Sequence, residues 1–478
     1  MADHDAVESF DAVVIGAGAG GMAAAALLVK RGYRTLLVER EPQVGGRAST
    51  VDVEGFGVNT GAQIFELGGA NKELFDEVGV PIRARKQATP LLLRLGKFDV
   101  RVMSGATGFL INKGFITVTG GLARKFGWFR PAEGLTLDDW LHCLHAPDAV
   151  FKIARNLTSA FFAAEPRDVS ATLFFDYLTK KGGMNTYGAH PEGSIGPWKD
   201  IAGYIERSGG TIWLNSRVIA VGVNADGVAT SVTVEPKSGS AVTVQTRCVI
   251  SNIGPVATSA LVPASAWPAG YTDTLQQQNY PGTLITINFA TSAPIPNLKT
   301  LVFFGLTDRL SYAFYMSGPS PRLAPVGKHL YCVTSTPHPA STGFDTDAEI
   351  EFLKKRPLPN FPNLPTLISC RSQSARETGP GSVPFQGGTG QMKHPFRTCG
   401  TSETVPGPGW RPGKAAASNP LNGLSPQFTH GYLRDCRPGG STEVDELISE
   451  VREGPFAPRD QRGFDATGAR RRSSRKAS

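Results

Sequence analysis

Residues 13–40 read VVIGAGAGGMAAAALLVKRGYRTLLVER, and the order of residue types along this stretch decides the fold. Residues 11–16, DAVVIG, are a short β-branched run with the make-up of a buried strand. Gly16-x-Gly18-x-x-Gly21 follows at once. Residues 22–31, MAAAALLVKR, predict a helix that Gly32 stops, and 34–39, RTLLVE, predict a second strand. Strand, glycine turn, helix and strand within about thirty residues form a βαβ unit.

Each glycine has a physical task in such a unit. Gly16 allows the tight turn out of the strand, Gly18 lets a pyrophosphate approach the backbone, and Gly21 lets helix and strand pack closely. The helix N-terminus offers free N–H groups and the positive end of its dipole to phosphate. Glu39 closes the second strand, where a carboxylate accepts both hydroxyls of a ribose and disfavours a 2′-phosphate. The pattern predicts a bound dinucleotide and argues against NADP.

The next residues choose between the remaining cofactors. Residues 39–50, EREPQVGGRAST, resemble the FAD-dependent flavin amine oxidase superfamily, in which a Gly-Gly-Arg loop follows the ribose acid. The resemblance implies FAD, with Gly45, Gly46 and Arg47 against its pyrophosphate and flavin and with Arg40 beside Glu39 among the cofactor residues. A guanidinium complements phosphate charge and glycines permit close approach. Residues 54–65, EGFGVNTGAQIF, resemble the phytoene desaturase branch, with Asn59-Thr60-Gly61 where that family usually has Asp-Thr-Gly. Residues 186–223 resemble the family's return to its FAD domain, which implies that the Val218 backbone meets the adenine. Residues 248–258, CVISNIGPVAT, resemble the strand and turn that leave it.

The resemblance covers residues 11–356. It implies an α/β fold, a Rossmann-type FAD-binding domain of the GR2 type with an inserted α+β substrate domain. The expected division is 1–85 and 186–260 for the FAD domain, 86–185 for a largely helical lid, and 261–356 for the substrate sheet. The branch includes carotenoid desaturases, carotenoid isomerases and retinol saturases. It implies flavin redox at C–C bonds of a lipophilic, isoprenoid or polyene substrate, with no protein catalytic residue named. A flavin amine oxidase is the alternative enzyme, and a defective protein that merely keeps the fold is the other.

Between these segments, residues 135–183 read as helices, with Asp138 and Asp139 at a helix start. Trp140, Leu141, Leu144, Val150 and Phe151 recur at roughly helical spacing. Core packing explains such a stripe, and a peripheral membrane contact is the second reading. Residues 282–296, 300–306 and 329–337 read as strands of a sheet over the flavin. His190 and Tyr187 lie in a Gly-rich turn, where a structural role is the expectation. Asn156-Leu157-Thr158 matches a glycosylation triplet and is read as unused.

Composition excludes several other classes. Six cysteines are scattered without metal-ligand spacing, so neither a disulfide framework nor a zinc site is expected. No apolar run reaches the ~18 residues a spanning helix needs. The acidic opening, MADHDAVESF, lacks an apolar leader, which gives the expectation of a cytoplasmic protein. The net charge of +8 would suggest nucleic acid, but residues 357–478 hold 16 of the 49 basic and 10 of the 41 acidic residues. The body is therefore close to neutral, no nucleic-acid partner is expected, and the sequence leaves the oligomeric state open.

Residues 349–356, EIEFLKKR, read as a helix, and after them the chain changes character. Residues 357–478 carry 15 of the 35 prolines, and periodic apolar patterning fades. The family's closing Gly-Asp-Gly segment is missing. A proline-rich disordered tail is one reading. We favour translation out of frame: a two-base shift lets 398–405 read Leu-Trp-Asn-Val-Gly-Asp-Gly and lets 376–380 read Gly-Asp-Trp-Pro.

Overall fold

The β-branched run folds as the strand Ser9–Ile15, between parallel partners Thr35–Val38 and Val242–Ser251. The computed structural model describes residues 8–86, 92–101, 130–179, 187–278 and 281–337, together with 345, 348–349, 371–373 and 392–393. Thr211–Trp213 extends this sheet in parallel on one side, and Ala229–Pro236 and Ser216–Val223 extend it antiparallel on the other. The order is 211–213, 35–38, 9–15, 242–251, 229–236, 216–223.

Both faces of this sheet are covered. Ala12, Val14 and Leu37 point into one core with Met22, Leu27, Trp198 and Ile205. Val13, Ile15, Leu36 and Val38 point into the other with Val218, Val232 and Val244. A strand buried on both faces reads as an unbroken apolar run. The helix after the glycine turn is Ala19–Lys30, starting three residues before the predicted span because the turn itself supplies the first helical residues. Ten of its twelve residues are buried. Its run of small side chains lets the sheet and the helix Gly196–Arg207 pack closely on either side.

A second, seven-stranded sheet has the order 371–373, 285–291, 329–335, 310–315, 302–304, 92–95, 98–101. All its neighbours are antiparallel except Val302–Phe304 with Leu92–Leu95. One face buries Ile285, Ile287, Phe289 and Tyr331. The other buries Ala290, Phe303, Phe314 and Cys332 against Phe56 and Val58 of the hairpin formed by Thr50–Val53 and Phe56–Asn59. That hairpin leads directly from the Gly45–Arg47 loop, so this face of the second sheet is turned toward the dinucleotide end of the first. The molecule is thus mixed α/β with a Rossmann-type dinucleotide domain.

The helices Leu137–Cys143, Asp148–Phe162 and Ala171–Thr179 form their own core around Leu141, Phe162, Val169 and Phe174. The first starts at Thr136, which with Asp139 forms a reciprocal capping box. The predicted apolar stripe is divided: Leu141 is buried and Trp140 and Phe151 are half-buried, whereas Leu144 and Val150 are exposed. Asn156 is buried, and its Nδ2 donates to the carbonyls of Phe304 at 2.7 Å and Thr307 at 2.9 Å. The glycosylation triplet is therefore a packing element that ties helix to sheet. Among the described residues no helix is long and apolar enough to cross a membrane. The out-of-frame reading and the predicted helix 349–356 lie outside the described residues, apart from Glu349, Arg371–Gln373 and Met392–Lys393. The last two pair by their backbones with Ile285–Thr291 and Pro281–Gly282.

Candidate functional site

The glycine turn is shaped by close backbone approach. Gly16 has φ +92°. A β-carbon on Gly21 would lie 1.9 Å from the Gly16 carbonyl oxygen, a clash that no side-chain movement relieves. Gly18 caps the helix in extended conformation, with no side-chain cap and no acidic residue in the first turn. The first N–H groups of the helix are therefore left for an external anion.

The Gly45–Arg47 loop lies on this turn. Gly45 N–H donates to the Ala17 carbonyl at 2.8 Å, and Gly18 and Gly45 form a parallel bridge. A β-carbon on Gly46 would come within 3.1 Å of the Gly18 Cα. Arg47 follows on the short turn Gly46–Ala48 with its side chain exposed. Its carbonyl accepts from Ala62 N–H at 3.0 Å and passes so close to Gly61 that a β-carbon there would sit 2.2 Å away.

Glu39 is buried at the strand end, beside the turn. One carboxylate oxygen accepts from Ala17 N–H at 2.7 Å and the other from Glu41 N–H at 3.0 Å. The acid predicted to hold a ribose thus also braces the backbone of the turn. Arg40 is exposed and pairs with Glu41 at 3.2 Å, a surface contact of small energetic weight. Val218 contributes its side chain to the core, and its strand has a bulge that leaves Ile219 out of register. Ser216 N–H donates to the Glu39 carbonyl at 2.8 Å, which brings the start of that strand beside the acid.

Sequence reading missed several residues that shape the site. The Asn252 amide covers the turn: β-carbons on Gly18 and Gly20 would meet it at 2.9 and 2.7 Å. Its signal was its place just after a parallel strand adjoining the glycine turn. Asn59, noted only as a departure from Asp, is a buried hub. Its Oδ1 accepts from Thr50 Oγ1 at 2.8 Å and Ser194 N–H at 3.0 Å, and its Nδ2 donates to Gln63 at 3.3 Å. Gly193 closes against the same pair, with no room for a β-carbon between Thr50 and Asn59.

His190 and Tyr187 both sit in packed surroundings. The His190 ring is buried against Gly196, where a β-carbon would lie 1.7 Å from Nδ1. Its Nδ1 accepts from Glu192 N–H at 3.1 Å, so the ring proton belongs on Nε2, 3.4 Å from Asp200. Burial lowers the His190 pKa despite the nearby Asp200 carboxylate. Burial also raises Tyr187 and pushes its neighbour Tyr177 up to about 12. Neither phenol is ionised near neutrality. Among the described residues no cluster of His, Cys, Asp or Glu is arranged to hold a metal ion.

The residues present fit the adenosine-diphosphate end of a dinucleotide. The cradle is one that β-carbons would fill, the helix N-terminus is uncapped, and an acid stands at the neighbouring strand end. The second glycine pair extends the cradle toward the hairpin and the second sheet.

Comparison with known proteins agrees with this geometry. A family described as an NAD(P)-binding Rossmann-like domain matches residues 14–78. The chain is 31% identical to human all-trans-retinol 13,14-reductase over 140 residues, 28% of this chain and 21% of that protein. It is 26% identical over 247 residues to the 15-cis-phytoene desaturase of Capsicum annuum, 45% of this chain and 42% of that one. The matches therefore span less than half the length of these relatives. Among solved structures, an oxidoreductase from Methanosarcina mazei superposes with a TM-score of 0.63 at 22% identity, covering 77% of this chain and 88% of that one. At that identity the likeness is one of fold.

Proposed function

We propose that the chain is an FAD-dependent oxidoreductase acting on C–C bonds of a lipophilic, isoprenoid or polyene substrate. The observation that carries this reading is the seating of Gly45 and Gly46 on the Gly16–Gly21 turn, a second close-approach loop beyond what an adenosine diphosphate alone requires. Gly16, Gly18, Gly21, Gly45, Gly46 and Arg47 would hold the pyrophosphate, Glu39 the ribose, and Arg40 and the Val218 backbone the adenine end. The names of two relatives, a retinol reductase and a phytoene desaturase, support the substrate class. Bound there, FAD supplies a hydride acceptor or donor.

The chain's own residues would orient the reactants and exclude water. Arg47 would offer its cation to the phosphates. Phe56, Val58, Phe314, Met316 and Leu323 pack as an apolar core between hairpin and second sheet, and would keep water from the flavin end. On this reading residues 86–185 and 261–356 form the substrate portion, and the exposed Leu144 and Val150 offer a peripheral membrane contact. The missing Gly-Asp-Gly segment favours a second reading, a fold-keeping protein that holds flavin weakly, for which the out-of-frame tail is our explanation.

The test is purification of the full chain, with and without a restored reading frame, followed by flavin extraction and anaerobic mixing with polyenes. Yellow protein whose flavin colour changes with a polyene supports the proposal. Peroxide release with amines would instead assign the amine oxidase alternative. Protein that stays colourless in both frames would overturn the flavin reading. Sequencing of the gene between the codons of Lys355 and Arg376 decides whether the frame is intact.

A further inference from the structure

A cavity of about 360 Å³ opens on the outer side of the 190–196 turn and is lined by Arg83, Arg85, His190, Glu192, Arg322 and three prolines. It shares only His190 with the narrow space between Asn59, Gln63, Ser194 and Phe314 that adjoins the proposed flavin end. Its volume is at the small end of the ligand-pocket range. We propose that it binds a ligand through a phosphate group.

The charges converge without being neutralised. Arg83 donates to Asp200 through Nε at 2.9 Å and through a second guanidinium nitrogen. Glu192 lies 3.5 Å from Lys199. The side chains of Arg85 and Arg322 have no ionic partner among the described residues, so the rim carries two uncompensated guanidinium groups. His190 forms part of the floor; it is 2% exposed, with its Nε2 beside the Asp200 carboxylate at 3.4 Å. Pro191, Pro319 and Pro321 fix the backbone that carries these groups, which lowers the ordering cost of binding. Planar guanidinium forks suit tetrahedral phosphate oxygens.

The test is calorimetric titration of the full chain with inorganic phosphate and with phenyl phosphate, at constant ionic strength set by chloride. Wild-type protein should bind, and Arg85→Gln and Arg322→Gln should each weaken binding about tenfold. These two lie on separate segments, so loss of fold in one leaves the other informative. Lys237→Gln, just past the strand Ala229–Pro236 and outside the cavity lining, should change nothing. Tighter binding of phenyl phosphate assigns a phosphorylated small molecule, and equal binding assigns the free anion. The proposal fails if wild-type protein shows no binding or if Lys237→Gln weakens it as much as the others. It also fails if Gly46→Ala abolishes binding while both arginine variants keep it, since the anion then sits at the glycine turn.

Discussion

Gly46 rests on Gly18, so near that a β-carbon on the first would stand 3.1 Å from the α-carbon of the second. Two glycine loops far apart in function-free terms, one leaving a strand and one following an acid, are thereby made into a single cradle. Gly46 also has φ +54°, where a side chain costs about 1–3 kcal/mol. Gly46→Ala should therefore lower stability by about 1 kcal/mol and weaken ADP binding at least about tenfold, read by calorimetry. Unchanged ADP affinity would show that the second loop does not touch the ligand.

Gly21 presents a harder limit. Its nearest neighbour is the Gly16 carbonyl at 1.9 Å from the added carbon, and both are backbone. Relief requires the helix to move off the strand, which disrupts the core around Ala12, Met22 and Trp198. Gly21→Ala should cost more than about 3 kcal/mol, the upper end of ordinary overpacking. Urea denaturation measures it, and a midpoint equal to wild type would contradict the packing described.

Glu39 separates structure from recognition. Removing its carboxylate leaves the Ala17 N–H without its acceptor, a loss of about 1–3 kcal/mol. Glu39→Gln keeps one oxygen for the Ala17 N–H but loses the charge and turns an NH2 toward the Glu41 N–H. Denaturation should show Glu39→Ala destabilised the more and Glu39→Gln the less, while ADP affinity falls in both. Equal stability of the alanine variant would show that the brace contributes nothing.

The strand, turn and helix around Gly16–Gly21 were legible because a buried parallel strand and a glycine turn each impose local residue choices. The roles of Asn252 and Asn59 were not. Each acts through partners distant in the chain: Asn252 reaches the glycine turn, and Asn59 joins a hairpin to Ser194. The apolar stripe of the helical block misled for the opposite reason. Spacing alone cannot show that Leu144 and Val150 fall beyond the edge of their core. The anion cavity was invisible in sequence because its arginines come from segments more than two hundred residues apart.

The three thiols among the described residues should react in a fixed order. Cys143 is exposed, Cys248 is half-buried with its thiol pushed up to about 11 by burial, and Cys332 is buried with its thiol raised further. Thiolate is the reactive form. Brief alkylation of native protein followed by peptide mass mapping should label Cys143 before Cys248 and leave Cys332 unmodified until denaturant is added. Early labelling of Cys332 would mean that the second sheet opens.

His190 should give the fold a pH dependence of predictable sign. Burial holds its pKa below the ordinary value of 6.5, with Asp200 opposing and Arg83 reinforcing the shift. At and below that pH the unfolded chain binds more protons than the folded one, so the stability present above it is lost as pH falls further. His190→Gln removes the titrating ring and retains an acceptor for the Glu192 N–H. Urea denaturation from about pH 7 to about pH 5 should therefore show a steeper loss of stability for wild type than for the variant. Parallel profiles would mean that the ring takes up its proton in the folded chain as readily as in the unfolded one. That result would require Asp200, rather than burial, to dominate its surroundings.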